Sequence, residues 1–440
     1  MLPKLVEDES AGFGSFLLEA KVLETNLPEH VLYYCGDSAI DQLLAFCQVN
    51  HYQRFLLICD RNTHSVLGER VETALIARGW EVLKVVLEGE EVIADEEYLA
   101  QVFFRADGEP RLYLAVGSGT ITDIARFCSH RSGNPFAVIP TAPSVDGFAS
   151  LISPVVIRRF KDTAYCRPPV GIFADIQALC QAPPRMIAAG FGDMLGKYTA
   201  LADWKLASLI WEEPYHPEIA QRMRNALNSC VQKAGEIGRA EPAGIAGLMH
   251  GLVESGVCML LNGNSRPASG AEHHLSHYWE MKLLRQGRPA ILHGAKVGVG
   301  TARIARQYEV IRKLPQTEVK HRLEQASLPD REREQAEIRT VFGPAASQVE
   351  IEQRRFWSVT DSQFALLKER VYHHWDDIQH LAAEVPAVER INDLLEKVAA
   401  PSNALMLGLS SEDESEALRY AHYLRKQFTV TKLGRVLGLW

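Results

Sequence analysis

The 440-residue sequence has no C-x-x-C pair, no run of roughly eighteen apolar residues, no internal repeat and no low-complexity stretch. Its eight cysteines (Cys35, Cys47, Cys59, Cys128, Cys166, Cys180, Cys230 and Cys258) are scattered, mostly in apolar runs. That excludes a disulfide-framed miniprotein or a zinc finger and fits buried thiols in a reducing compartment. The opening MLPKLVEDES meets acidic residues before any long apolar stretch, so it lacks the pattern of a secretory signal. Positive charge is also in short supply: 47 Lys and Arg stand against 55 Asp and Glu, a formal charge of −8. The expectation is a cytoplasmic protein with no membrane span and no nucleic-acid partner, in which any bound phosphate is held by local groups.

What is present is enough apolar residue, 47%, to bury a large core in two or three domains. In the first third, short apolar runs alternate with helical patterns. FLLIC (residues 55–59) ends at Asp60, a helical stretch covers residues 65–78, WEVLKVV (80–86) follows, LYLAV (112–116) runs into Gly117, and FAVI (136–139) runs into Pro140. This alternation predicts a mostly parallel sheet whose ligands bind beyond the carboxyl ends of the strands. Residues 153–175 read as two or three extended pieces, a hairpin bridging two domains. Beyond Pro184 the periodicity is helical, at 185–210, 217–239, 242–261, 270–286 and 295–306. The charged stretch 318–398 reads as outer helices with solvated faces.

Five motifs carry chemistry, and a lone histidine, like a lone turn or carboxylate, has a plainer structural reading beside it. VGSGTITD (116–123) places Gly117 and Gly119 after a strand and before a helix, where backbone can approach a pyrophosphate. Thr122 stands where a third glycine would complete the dinucleotide fingerprint, and glycine turns after strands are common without any nucleotide. Asp60 can accept from a ribose hydroxyl or simply cap a helix. PTAPSVDGFAS (140–150) is a second strand-to-loop junction, rich in hydroxyls and in turn formers alike. GFGDMLGK (190–197) sets one carboxylate, Asp193, in an apolar, glycine-rich helix; it calls for a cation or for Lys197 at i+4. GAEHHLSHYWE (270–280) and ILHGAKVGVG (291–300) supply His273, His274, His277 and His293. In a helix His273 and His277 share a face while His274 points about 100° away. One Asp and two His suit a divalent metal in an open site.

In order along one chain, these segments resemble the iron-containing alcohol dehydrogenase and dehydroquinate synthase superfamily, and within it the sn-glycerol-1-phosphate dehydrogenases. The resemblance spans residues 60–300. It implies an α/β nucleotide-binding domain over 1–184, hairpin included, followed by an all-helical metal and substrate domain over 185–440, a dehydroquinate synthase-like fold. It further implies NAD or NADP contacts at Asp60, Gly117, Gly119, Thr120, Ile121, Thr122, Asp123, Thr141, Ala142, Pro143, Ser144 and Ser150, with Arg61 leaving room for a 2′-phosphate. Asp193, His273 and His293 match the ligands of one divalent ion (Zn, Ni or Fe), and Asp146, Asp193 and His277 match substrate-contacting, catalytic positions. His274 matches no ligand.

The implied reaction is reversible hydride transfer between NAD(P)H and dihydroxyacetone phosphate, giving sn-glycerol 1-phosphate, with His277 as a candidate proton relay. Arg266, Lys197, Lys296 and Lys161 are the candidate cations for the substrate phosphate. The family further implies a homodimer and a place in phospholipid synthesis. The rival readings are a glycerol or other polyol dehydrogenase, a dehydroquinate-synthase-like lyase that regenerates its NAD, and a binding protein that has lost its metal.

Overall fold

The structure, a computed structural model, describes residues 6–7, 16–21, 28–157 and 160–440. Most of the opening decapeptide, on which the absence of a signal was read, lies outside the described residues. The described strands are β1 (Val6–Glu7), β2 (Phe16–Lys21), β3 (Pro28–Gly36), β4 (Arg54–Asp60), β5 (Glu81–Leu87), β6 (Leu112–Val116), β7 (Phe136–Ile139), β8 (Ile152–Ile157), β9 (Phe160–Tyr165) and β10 (Gly171–Asp175). Eight form one sheet in the order β1-β2-β3-β10-β7-β6-β4-β5. The six strands from β3 to β5 in that order pair in parallel, while β1 and β2 add an antiparallel edge. Strands β6, β7 and β10 are buried along their whole length, as continuous apolar runs in a covered parallel sheet require. Leu57, Leu114, Ala137 and Phe173 form part of one core with Leu43 and Cys47 of the helix Ala39–Val49. Each such fully buried Leu or Phe contributes about 1.5–3 kcal/mol.

The expected hairpin is β8 paired with β9, antiparallel and shorter than anticipated. The third extended piece, GIFAD, is not part of it: β10 lies in the large sheet between β3 and β7. Its five consecutive buried residues suit a central strand and not a bridging ribbon.

The chain forms two compact units, one of Met1–Met194 with Asn228–Ser265 and the other of Leu195–Leu227 with Arg266–Trp440. A boundary at 184/185 was expected. Residues 228–265 group with the sheet because the helix Pro242–Asn262 packs on β3, with His250 stacked on Tyr33 at 6.1 Å between ring centroids. This helix is long and apolar enough to cross a membrane by length and composition, with a mean hydropathy of 1.5, although the sequence shows no unbroken apolar run. As much as 83% of its most apolar window is buried inside the fold. An apolar helix of this kind needs cover on all sides, and the sheet unit supplies it.

The second unit is helical. Trp204, Trp279 and Trp375 are fully buried, and each indole N–H donates to a backbone carbonyl, of Pro214, Asp413 and Leu314 respectively. The apolar C-terminus packs on its own chain: the Trp440 indole N–H donates to the Thr431 carbonyl at 3.0 Å. No disulfide joins the eight cysteines.

Candidate active site

In the sheet unit, β4 leads to β5 on one side while β6 lies on its other side. The loops leaving the carboxyl ends of β4 and β6 therefore diverge, and such a switch point opens a crevice suited to a nucleotide. Asp60 ends β4, and residues 117–119 follow β6. A Cβ on Gly117 would stand 2.5 Å from the Ile121 side chain, so only glycine lets the helix Gly119–Arg131 start this close to the strand. Its N-terminal amides are then the groups an anion would meet. Thr120 is partly exposed, whereas Ile121 and Thr122 are buried. Thr122 donates both its hydroxyl and its amide to the Ser118 carbonyl, at 2.9 and 3.0 Å, so the amides a ligand would meet are those ahead of Thr122. Asp60 makes the helix cap that its plainer reading anticipated, its Oδ1 accepting from Thr63 N at 2.7 Å in a capping box.

The loop 140–150 lies beside this turn. Thr141 N donates to the Gly117 carbonyl at 3.2 Å, and the Ser118 and Ser144 hydroxyls share a hydrogen bond. Ala142 and Ser144 are buried. Ser150 is 2% exposed, and its hydroxyl is engaged with the backbone of Ile152. Arg126, which the motifs did not single out, clamps the far half of the loop. Its guanidinium is fully buried and donates to the carbonyls of Gly147, Phe148 and Ile152 and to Asp123.

The helix Pro184–Leu195 explains its own glycines. A Cβ on Gly190 would stand 1.8 Å from the Pro143 carbonyl oxygen, so the helix and loop backbones touch there. One turn on, Asp193 is fully buried and its Oδ2 accepts from Asp146 N at 3.1 Å. The Asp146 carboxylate in turn accepts from Ser255 Oγ at 2.8 Å, a partner that lies 109 residues away and was not anticipated.

In the helical unit, His273 and His277 lie on the helix Ala271–Gln286, and His293 opens the helix His293–Lys313. Ring centroids are 5.3 Å apart for His273 and His293, 5.8 Å for His277 and His293, and 6.2 Å for His273 and His277. His274 points elsewhere: buried, with Nε2 3.0 Å from Gln427 Oε1. Burial, only partly opposed by that contact, pushes its pKa down to about 3, so it is a neutral core imidazole.

Glu272 was missed although it stands inside the quoted motif. It is fully buried and accepts from His273 Nδ1, Thr199 Oγ1 and Gly270 N, each at 2.7 Å. Burial alone would raise its pKa; the hydrogen bonds from His273, Thr199 and Gly270 hold it below the ordinary glutamate value. A carboxylate on Nδ1 fixes the tautomer that leaves the Nε2 lone pair for a ligand bond. His273 and His293, with ring centroids 5.3 Å apart, can offer two imidazoles to one ion. Two imidazoles, one of them with an oriented tautomer, fit a divalent ion with room for further oxygen ligands.

The candidate phosphate cations separate by environment. Arg266 is buried, paired with Glu213 at 2.8 Å and donating to the carbonyls of Asp203 and Phe428. Lys197 is fully buried and donates to Ala268 O at 3.2 Å. Lys296 is buried and faces Glu280 at 3.3 Å. Lys161 falls on β9, and its side chain lies outside the described part of the structure.

Residues 34–183 match the model of an iron-containing alcohol dehydrogenase family. The chain is 39% identical over 398 residues to a glycerol-1-phosphate dehydrogenase (NAD(P)+) of Geobacillus thermodenitrificans, covering 89% of both chains. To the enzyme of the same name from Bacillus subtilis it is 42% identical over 299 residues, 67% of this chain and 74% of the relative. The fold resembles the crystal structure of a probable glycerol dehydrogenase from Sinorhizobium meliloti, with a TM-score of 0.59 at 16% identity over 92% of this chain and 94% of that one. At that identity the likeness speaks for the fold alone, whereas the two enzyme relatives, similar over most of their own lengths, speak for more. The chain belongs to the glycerol-1-phosphate dehydrogenase (NAD(P)+) family.

Proposed function

We infer that this chain is an NAD(P)-dependent oxidoreductase that reversibly reduces dihydroxyacetone phosphate to sn-glycerol 1-phosphate with the help of one divalent metal ion. The observation that carries this reading is the 39% identity to a glycerol-1-phosphate dehydrogenase over 89% of both chains, supported by the His273 and His293 imidazoles, whose ring centroids are 5.3 Å apart. A polyol dehydrogenase on the same fold accounts less well for this family membership, and so does a lyase.

In this reading Asp193, His273 and His293 hold the metal. Glu272 fixes the His273 ring, while the amide of Asp146 hydrogen-bonds Asp193 and limits its rotation. The dinucleotide meets the backbone of residues 117–123 and 141–144, with Asp60 at the ribose. Arg61 is exposed and reaches Glu88 at only 4.0 Å, so either a hydroxyl or a 2′-phosphate can be accommodated beside it. When bound, the ion draws electron density from the substrate carbonyl and NAD(P)H supplies the hydride. The chain's own task at the reacting oxygen is a proton, and His277 is the candidate donor, a role supported by its ring lying 6.2 Å from that of His273. Asp146, its carboxylate oriented by Ser255, contacts a substrate hydroxyl. Zn, Ni and Fe all suit this donor set, and availability decides among them.

Residues 1–184 and 185–440 are read as the nucleotide and metal domains in function. A homodimer, a cytoplasmic location and a role in making glycerol-1-phosphate-based phospholipids complete the proposal. The test is stoichiometry: NADH or NADPH consumed one for one with dihydroxyacetone phosphate supports a dehydrogenase. Turnover without net NADH loss points to a lyase, and an equal rate on unphosphorylated dihydroxyacetone points to a polyol dehydrogenase.

A further inference from the structure

Arg425 lies in the charged final third, which the motifs left as scaffold. It follows a short turn, residues 421–424, that packs on the helix bearing His273 and His277. Its guanidinium Nη2 is 3.4 Å from His277 Nδ1. The segment carrying it is pinned along its length. Lys426 N donates to Glu352 at 3.0 Å, Gln427 meets His274 at 3.0 Å, Phe428 N donates to Glu213 at 3.1 Å, and Val430 N donates to Asp203 at 2.7 Å. Three of these contacts hold backbone amides and the fourth holds the Gln427 side chain; a side chain on backbone anchored in this way is pre-placed, so less entropy is lost when it binds a ligand.

We propose that Arg425 binds the phosphate of the three-carbon substrate and selects phosphorylated over unphosphorylated ketones. This rests on the reading of the site as a dihydroxyacetone phosphate reductase. Three considerations carry it. A substrate phosphate must reach its cation, and Arg425 is partly exposed, whereas Arg266, Lys197 and Lys296 are all buried. Arg425 is one contact from His277, whose ring stands 5.8 Å from His293 and 6.2 Å from His273, so a guanidinium there is near the donor set without joining it. Finally, a planar guanidinium offers a phosphate two parallel N–H bonds, which a lysine cannot copy. In a chain of net charge −8 an anionic substrate depends on such a group individually.

The test uses the full-length, metal-reconstituted protein with the variants Arg425→Ala, Arg425→Gln and Arg425→Lys, each checked for an unchanged thermal midpoint. The Ala and Gln variants should raise KM for dihydroxyacetone phosphate about 100-fold, and Lys should fall between them and the parent. Inhibition by inorganic phosphate should weaken in parallel, while any loss of kcat/KM on dihydroxyacetone should be at least about tenfold smaller than the loss on the phosphorylated substrate. An unchanged KM for the phosphorylated substrate overturns the proposal. So does an equal loss on both ketones, which would make Arg425 a positioning residue for His277. If the parent reduces neither ketone, the functional reading itself fails, and calorimetric titration with glycerol phosphate decides Arg425 separately: retained binding in Arg425→Ala overturns the assignment, and loss of binding sustains it.

Discussion

Glu272 accepts a hydrogen bond from Nδ1 of its sequence neighbour His273 at 2.7 Å, and both side chains are buried. In a helix, adjacent residues diverge by about 100°. Here the contact forms at the first turn, where Gly270 N and Thr199 Oγ1 also reach the same carboxylate. Gly270 is needed because a Cβ there would come 2.6 Å from Asp203 Oδ2 and 2.9 Å from Glu272 Oε2.

Replacing Glu272 with Gln keeps the shape but removes the charge that holds the His273 N–H. Metal affinity, read by competition with a chelating dye, should fall about 10- to 100-fold. Equal affinity in the variant would show that the pair serves the fold alone.

Gly190→Ala forces a methyl against the Pro143 carbonyl, a backbone atom that cannot swing aside. The expected cost is about 1–3 kcal/mol in denaturant unfolding. In addition, KM for NAD(P)H should rise, because loop 140–150 must shift. A variant as stable as the parent would mean that the close approach is not required.

The fold was largely legible because strand alternation and glycine turns are local signals. Strands β4, β6 and β7 and the glycine turn at 117–119 stand where short apolar runs placed them. The place of β10 was not legible, since parallel pairing partners are set by contacts remote in sequence. At the site, His274 could be set aside from helical geometry alone. Glu272, Ser255 and Arg425 could not be found that way: Ser255 meets Asp146 across 109 residues and Arg425 meets His277 across 148. Glu272 was adjacent to a candidate ligand, but nothing in its spacing told a buried acceptor from a solvated charge.

His277→Ala should lower kcat while the bound metal, measured by elemental analysis, stays unchanged. The expected loss is about 10²- to 10⁴-fold, the usual scale for a positioned proton donor. Unchanged turnover would remove His277 from the mechanism.

Lys432 offers a pH signature away from the site. It is buried, donates to Gln353 Oε1 at 2.9 Å and lies over the Phe356 ring, with Glu334, Glu352 and Arg435 as its charged neighbours. Burial, opposed in part by Glu334, pulls its pKa down to about 7. The unfolded chain then binds the extra proton between about pH 7 and the ordinary lysine value of about 10.4, so its contribution to stability grows across that window as pH rises and is lost as pH falls back through 7. Unfolding free energy measured over this range should rise less in Lys432→Met than in the parent. Parallel curves would contradict the buried, easily neutralised amine.

The central claim is that the chain reduces dihydroxyacetone phosphate to sn-glycerol 1-phosphate, and chiral analysis of the product addresses it directly. The metal-reconstituted protein, given dihydroxyacetone phosphate and NADH or NADPH, should yield sn-glycerol 1-phosphate with one cofactor oxidised per product formed. Formation of sn-glycerol 3-phosphate, or no reduction with Zn, Ni or Fe, would contradict the account.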